Sequence, residues 1–230
     1  MALDFPVSFS FLNEEANCPY KSYRRYVVRD LPREEKTAAQ TYGIDVHKAL
    51  ELRINEGKPL VEPFDKFEPL AGRISACNRG DVEVRAERKF ALSRNEGPLK
   101  DYWDKSALLR VVVDVSIIAY GQHRAHIFDW KTGKVREDPF ELEIQAWALR
   151  TWYPGLEVIK ANYIWLKENK LGLEHDVSDT ERTAASVRAQ LAEIDRRGDV
   201  WPKRENALCG WCDVLDCEFN RTEARKAREV

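Results

Sequence analysis

Apolar and polar positions repeat with two different periods along this chain, and the switches between them mark out its elements. In residues 32–57, PREEKTAAQTYGIDVHKALELRINEG, the positions Gly43, His47, Leu50 and Ile54 fall at spacings of four, three and four, one face of a helix. Residues 58–80 are punctuated by Pro and Gly and leave room for one short helix. DVEVRAERKFAL, residues 81–92, alternates as a strand. Val82, Val84 and Ala86 take one face and Glu83, Arg85 and Glu87 the other. ALLRVVVDVSIIAY is a β-branched run of the kind found in buried strands. A turn holding Gly121 and Gln122 joins it to AHIFDWK, which predicts a hairpin. DPFELEIQAWALRTWYPG returns to helical spacing, with Phe140, Ile144, Trp147 and Ala148 on one stripe and Pro154-Gly155 past its end. EVIKANYIWLK predicts a further strand. SDTERTAASVRAQLAEIDRRG predicts a last helix, with Ser178 and Glu181 in capping-box register and Gly198 at its end. Helix, strands, helix, strand, helix is the order of an α/β or α+β domain around a mixed sheet.

Two positions break these patterns. Asp114 stands alone in the apolar run VVVDVS, where an ionised carboxylate is costly unless it is paired or binds a cation. In HIFDWKTGK, Asp129 and Lys131 share one strand face with Ile127, while His126, Phe128 and Trp130 take the other. The hairpin brings Asp114 near Asp129 and Lys131. Two carboxylates that close repel unless a divalent ion lies between them, and hard oxygen ligands favour Mg²⁺ or Mn²⁺. Lys131 then stands beside the ion, able to orient a water or hold charge on a phosphate. His47 adds a third candidate ligand. The simpler alternative is a buried Asp114–Lys131 salt bridge, with His47 an ordinary core or surface histidine.

Helix GIDVHKAL, strand RVVVDVS, the segment DWKTGK and helix EIQAW together resemble the PD-(D/E)XK nucleases of the RecB and Cas4 type over about residues 40–165. The resemblance implies a restriction-endonuclease-like core. It implies His47, Asp114 and Asp129 as metal ligands, with the Trp130 carbonyl a further one. Lys131 is then the catalytic lysine, and Gln145 the glutamine of the family's Q-x-x-x-Y helix. Four residues after Gln145 stands Leu149, so no tyrosine role carries over. Glu87 matches an acidic position often seen on the first strand.

Five cysteines occur, and Cys209, Cys212 and Cys217 form a C-x2-C-x4-C run. Clustered thiols in a chain without a recognisable leader suggest metal more than disulfides, and Cys18 is the obvious fourth donor. One cysteine near the start and three near the end again resembles Cas4 and the iron–sulfur RecB-type nucleases. By that likeness Cys18, Cys209, Cys212 and Cys217 hold a [4Fe-4S] cluster that joins the chain ends, with a four-cysteine zinc site as the alternative. Cys77 has no partner and reads as a small buried hydrophobe.

Composition narrows the field only modestly. The 230 residues are 43% apolar and 33% charged, which suits one folded domain and argues against wholesale disorder. The division expected is one nuclease domain, with a core of about residues 33–198 and a cluster lobe from 1–32 and 199–230. No apolar run approaches the roughly 20 residues that span a bilayer, and the first segment lacks the basic and apolar regions of a signal peptide. An intracellular protein with no membrane partner is the expectation. A formal net charge of -2 gives no bulk attraction to nucleic acid, although Lys21, Arg24, Arg25 and Arg29 cluster among aromatics and residues 221–230 are basic. Tyr20, Tyr23 and Tyr26 read as core in preference to base-stacking groups.

The leading expectation is a metal-dependent DNA nuclease acting as an exonuclease on single strands or ends. It would serve CRISPR adaptation or phage and bacterial recombination, with proteins of those systems as partners. Loss of Lys131 or Asp114 should then nearly abolish cleavage. Two other classes remain open: an inactive nucleic-acid-binding module, and a zinc-stapled interaction protein.

Overall fold

A computed structural model describes residues 3–31 and 36–223. These form two compact units, one of residues 36–186 and one of 3–31 with 187–223. No helix among the described residues is long and apolar enough to cross a membrane.

The unit built from both chain ends begins with α1 (Phe9–Asn17) and α2 (Pro19–Ser22), followed by a π-helical stretch, Tyr23–Val28. Ser8 caps α1 by accepting the Phe11 N–H at 3.3 Å. Phe11 meets Phe5 and Tyr26 edge-on, and Tyr23 stacks on Trp201 at 5.3 Å, so these rings pack inside the unit. The basic cluster is spent on carboxylates. Lys21 lies 3.3 Å from Asp213, Arg24 3.0 Å from Asp216, and Arg25 pairs with Glu14 and Asp213. Arg29 donates to the Tyr26 carbonyl. Of the basic run 221–230, residues 224–230 lie outside the described residues.

The larger unit opens with α3 (Ala38–Glu56). The helix starts six residues after the expected position 32: Thr37 caps it in a reciprocal box with Gln40, and residues 32–35 lie outside the described residues. Gly57 ends it with φ +71°, a conformation that favours glycine. After a 3₁₀ turn comes α4 (Glu68–Ser75). Just past it, Cys77 is exposed and not buried; its thiol donates to the Arg73 carbonyl left open at the helix end.

The sheet consists of β1 (Val82–Ser93), β2 (Pro98–Leu99), β3 (Ala107–Ala119), β4 (Arg124–Lys131), β5 (Val158–Trp165), β6 (Lys170–Leu171) and β7 (His175–Asp176). Its order is β2-β1-β3-β4-β5-β6, with β7 also on β5. The hairpin partners β3 and β4 are antiparallel, whereas β4 and β5 are parallel and need the crossover helix α5 (Pro139–Trp152). Val46, Leu50 and Ile54 of α3 pack with Ala71 of α4 against Val84, Ala86, Val115, Trp130 and Ile164. On the other face, Phe90 meets Trp152 of α5 at 5.7 Å. The result is the expected mixed sheet flanked by helices. At α6 (Thr180–Arg197) the cap is Asp179, which accepts the Arg182 N–H at 3.1 Å. Ser178, the expected cap, is held instead by the backbone N–H and C=O of Ile159 on β5.

One irregularity positions the chemistry. Ala86 pairs with Val115 and Arg88 with Val113, so Glu87 and Asp114 lie opposite each other between two pairs. Strict alternation puts Ala86 and Arg88 on one face, yet Ala86 packs toward α3 while Arg88 reaches Tyr153, just past α5. Both strands therefore change sides at this point. Glu87 takes φ +51° and turns toward α3, away from the Glu83–Arg85 face that alternation predicts.

A left-handed backbone costs an L side chain about 1–2 kcal/mol that glycine escapes. Glu87→Gly should therefore be about 1 kcal/mol more stable than Glu87→Ala in urea unfolding, both variants having lost the carboxylate. An ordinary strand position gives the opposite order.

Candidate active site

Asp114 is 8% exposed in the middle of the sheet. Burial there is tolerable because the Trp130 N–H donates to its Oδ2 at 2.8 Å and a histidine faces its Oδ1. That histidine is His47, carried on α3. Its Nδ1 lies 3.1 Å from Glu87 Oε1 and 3.6 Å from Asp114 Oδ1, and its Nε2 lies 3.1 Å from the Trp130 carbonyl. Both ring nitrogens thus face acceptors, which only the doubly protonated imidazolium satisfies. Burial opposes that charge, but the hydrogen bond to Glu87 and the fields of Asp114, Glu87 and Asp129 outweigh it. The His47 pKa is pushed up to about 9. Burial raises the Asp114 carboxyl well above the usual range, with Asp129 adding to the effect and His47 opposing it.

Ligand atoms of His47, Glu87 and Asp114 all lie within 4.8 Å of one another, the only such trio of His, Cys, Asp or Glu among the described residues. One imidazole, two carboxylates and the nearby Trp130 carbonyl form a mixed, oxygen-rich donor set. The imidazolium supplies the positive charge that a cation would otherwise bring to these oxygens.

The α5 side of the sheet holds the other half. Asp129 Oδ1 accepts from Gln145 Nε2 at 2.8 Å, and Oδ2 lies 2.7 Å from Lys131 Nζ. Lys131 is also 2.9 Å from Glu141 Oε2. Tyr163, paired in register with Asp129 on β5, has its hydroxyl 2.7 Å from the Asp138 carbonyl and 3.1 Å from Glu141 Oε2, with its one proton shared between the two acceptors. Burial acts to lower the Lys131 pKa, but Asp129 and Glu141 outweigh it and the net shift is upward, so the side chain is an ammonium at neutral pH. Glu141 is shifted up by burial and by Asp129, with Lys131 opposing.

The structure therefore gathers His47, Glu87, Asp114 and the Trp130 carbonyl in one group, and Asp129, Lys131 and Gln145 in an adjoining one. Asp129 does not join the compact trio; its two oxygens are engaged by Gln145 and Lys131. The Asp114–Lys131 salt bridge is not formed, because Lys131 pairs with Asp129 and Glu141. Sequence reasoning missed Glu141 and Tyr163. Glu141 carried a usable signal, lying four residues before Gln145 and so on the same helix face. Leu149, one turn after Gln145, is fully buried.

In the unit of the chain ends, Cys18, Cys209, Cys212 and Cys217 line one cavity of about 290 Å³. The Asn206 N–H donates to Cys209 Sγ at 3.4 Å. Burial pushes the Cys212 thiol up, opposed by the Val214 N–H and Lys21.

Residues 6–217 match the family model of the PD-(D/E)XK nuclease superfamily. No curated protein sequence matches significantly. Among solved structures, a putative exonuclease from Eubacterium rectale is similar at 15% identity, over 93% of this chain and 87% of that one, with a TM-score of 0.52. The protein SSO0001 is similar at 14% identity over 96% and 89%, with a TM-score of 0.48.

A cation among His47, Glu87 and Asp114 must displace the imidazolium proton, so its binding should release protons at pH 7. Mn²⁺ affinity measured by titration calorimetry between about pH 6 and about pH 10 should rise steadily with pH up to about pH 9 and level off above it. Equal affinity across that range contradicts the assignment.

Proposed function

The chain belongs to the PD-(D/E)XK nuclease superfamily, and on that premise we propose that it is a divalent-metal-dependent DNA exonuclease of the Cas4/RecB type. Nucleases of this superfamily use divalent metals, and the chain's own donors suit one. His47, Glu87, Asp114 and the Trp130 carbonyl would hold Mg²⁺ or Mn²⁺, with Asp129 as a further ligand. The bound cation polarises the phosphodiester and acidifies water beside it. The observation that carries the reading is that the Asp129 carboxylate, held by Lys131 and Gln145, lies close enough to His47 and Asp114 of this trio for its charge to act on both.

The remaining roles follow from the side chains themselves. Lys131 keeps its proton, so it serves as a positive donor to the phosphate and not as a general base. Gln145 fixes the Asp129 carboxylate through Oδ1, and Glu141 holds the ammonium from its other side. The substrate is DNA, taken as single strands or free ends, and the name of the Eubacterium rectale protein accords with an exonuclease. The setting would be CRISPR adaptation or recombination and end processing inside the cell, with proteins of those systems as partners.

Cys18, Cys209, Cys212 and Cys217 would hold a [4Fe-4S] cluster that braces the unit of the chain ends. Four thiols around one cavity, two of them accepting backbone N–H groups, support that reading. No three of them come within the 4.8 Å that marks the His47 trio. A tetrahedral zinc draws its sulfurs to roughly 3.8 Å.

Lys131→Ala and Asp114→Asn should each lower cleavage of end-labelled single-stranded DNA by about a hundredfold or more while the protein stays folded. Asn keeps an acceptor for the Trp130 N–H, so the asparagine variant isolates the charge. Metal-dependent cleavage retained by both variants overturns the proposal. Anaerobically purified protein should be brown, with roughly four irons per chain. Colourless, zinc-containing protein replaces the cluster with zinc and leaves the nuclease reading standing.

A further inference from the structure

Beyond the metal carboxylates, β1 and β3 run on as an open stretch of sheet. Phe90 faces α5, so its neighbours Lys89 and Ala91 face the other way, toward the α3 side that Glu87 has joined. Arg110 pairs with Ala91 in register and shares that face. Lys89 stands about 7 Å along the strand from Glu87, and Arg110 about 13 Å from Asp114, at ~3.3 Å per residue.

Over this stretch lies the segment that joins β2 to β3. The Tyr102 ring sits 5.8 Å from Lys89 Nζ and 5.7 Å from the Arg110 guanidinium. Arg110 also covers one side of Trp103 at 5.2 Å, and Tyr102 meets the Trp103 ring edge-on at 5.0 Å. Trp103 nevertheless remains 67% exposed, with Arg110 on one side of its ring. The loop holds it there actively: Asp101 accepts the Trp103 N–H at 2.9 Å. Asp104 accepts from Ser106, and its carbonyl accepts from Arg110.

Charge points the same way as the exposed ring. Lys89, Lys100, Lys105 and Arg110 form no ion pair with any carboxylate among the described residues. Arg110 Nε is buried without a hydrogen-bond partner. That contrasts with Lys21, Arg24 and Arg25, whose charges are all met by carboxylates. Lys89 and Arg110, on the strands and the face that carry Glu87 and Asp114, and Lys100 and Lys105, in the loop that carries the exposed indole, together match a polyanion with accessible ring faces.

Resting on the nuclease reading above, we propose that Trp103, with Lys89, Lys100, Lys105 and Arg110, is a platform that holds single-stranded DNA a few nucleotides from the scissile phosphate. A base stacks on the open face of Trp103 while the cations take the flanking phosphates. Duplex DNA hides its base faces, so the platform favours unpaired strands. None of these residues touches the reacting atoms.

The test is fluorescence anisotropy of a labelled oligothymidine with the full-length protein in EDTA, where cleavage is off. Trp103→Ala should weaken binding at least about fivefold, the lower end for loss of one base–aromatic stack. Lys100→Ala with Lys105→Ala should flatten the slope of log K against log salt by about 1.4, at ~0.7 per phosphate contact on single strands. All these positions are exposed, and unchanged thermal melting of the variants separates lost contacts from lost folding. If wild-type protein binds and both variants match its affinity and salt slope, the platform is wrong and the nuclease reading survives. A Trp103→Ala loss equally large on duplex overturns base stacking. If wild-type protein binds no oligothymidine in EDTA, the platform is likewise wrong, while cleavage assays with Mn²⁺ judge the nuclease reading separately.

Discussion

The burial of Asp114 is the constraint on which the larger unit turns. A carboxylate among the valines of a central strand must be compensated from every direction, and the protein does this with groups from three elements: the Trp130 N–H of β4, His47 of α3 and the opposed position on β1. Compensation requires both strands to change sides at one point, which turns Glu87 into the same space with a left-handed backbone. Strain, a raised carboxyl pKa and a protonated histidine are thus three results of one arrangement. The strain and the raised carboxyl pKa are costs to the fold, whereas the raised His47 pKa adds stability at neutral pH and offsets them.

The second group of polar residues lies on the α5 side of the sheet and is held together by its own contacts. Asp129 is held by Gln145 and Lys131, and Lys131 by Asp129 and Glu141, with Tyr163 bracing Glu141. The chain of contacts fixes the ammonium at a defined spot between Asp129 and Glu141. A single flexible lysine would lose conformational entropy on taking up that position, whereas here the cost is met in folding.

Much of this architecture was written in periodicity. The β-branched run with its turn gave the β3–β4 hairpin, and the helix α5 and the strand β5 after it were read from their spacing, although not the parallel pairing of β4 with β5. The helix period put His47 near the inward face of α3, and the lone Asp114 marked itself by its cost. What could not be read was conformational. Period-two alternation assigned Glu87 to the wrong face, because nothing in VRAERK signals a residue with positive φ. The cap of α6 was placed at Ser178 instead of Asp179, since neighbouring Ser, Thr and Asp residues compete locally and tertiary bonds choose among them, and no cap was read for α3, which Thr37 supplies. Ser178 was taken by the Ile159 backbone. Glu141 and Tyr163 enter the site only through the register of β4 with β5 and the seat of α5. Both are long-range facts with a weak local trace.

The most direct test of the account is where a cation sits. Crystals grown with Mn²⁺ and measured for anomalous scattering should place a manganese ion in contact with His47, Glu87 and Asp114, with the imidazole turned to ligate through one nitrogen. Manganese bound elsewhere, or no peak at this site while the protein cleaves DNA with Mn²⁺, contradicts the claim that the side-switch of β1 and β3 builds the metal centre.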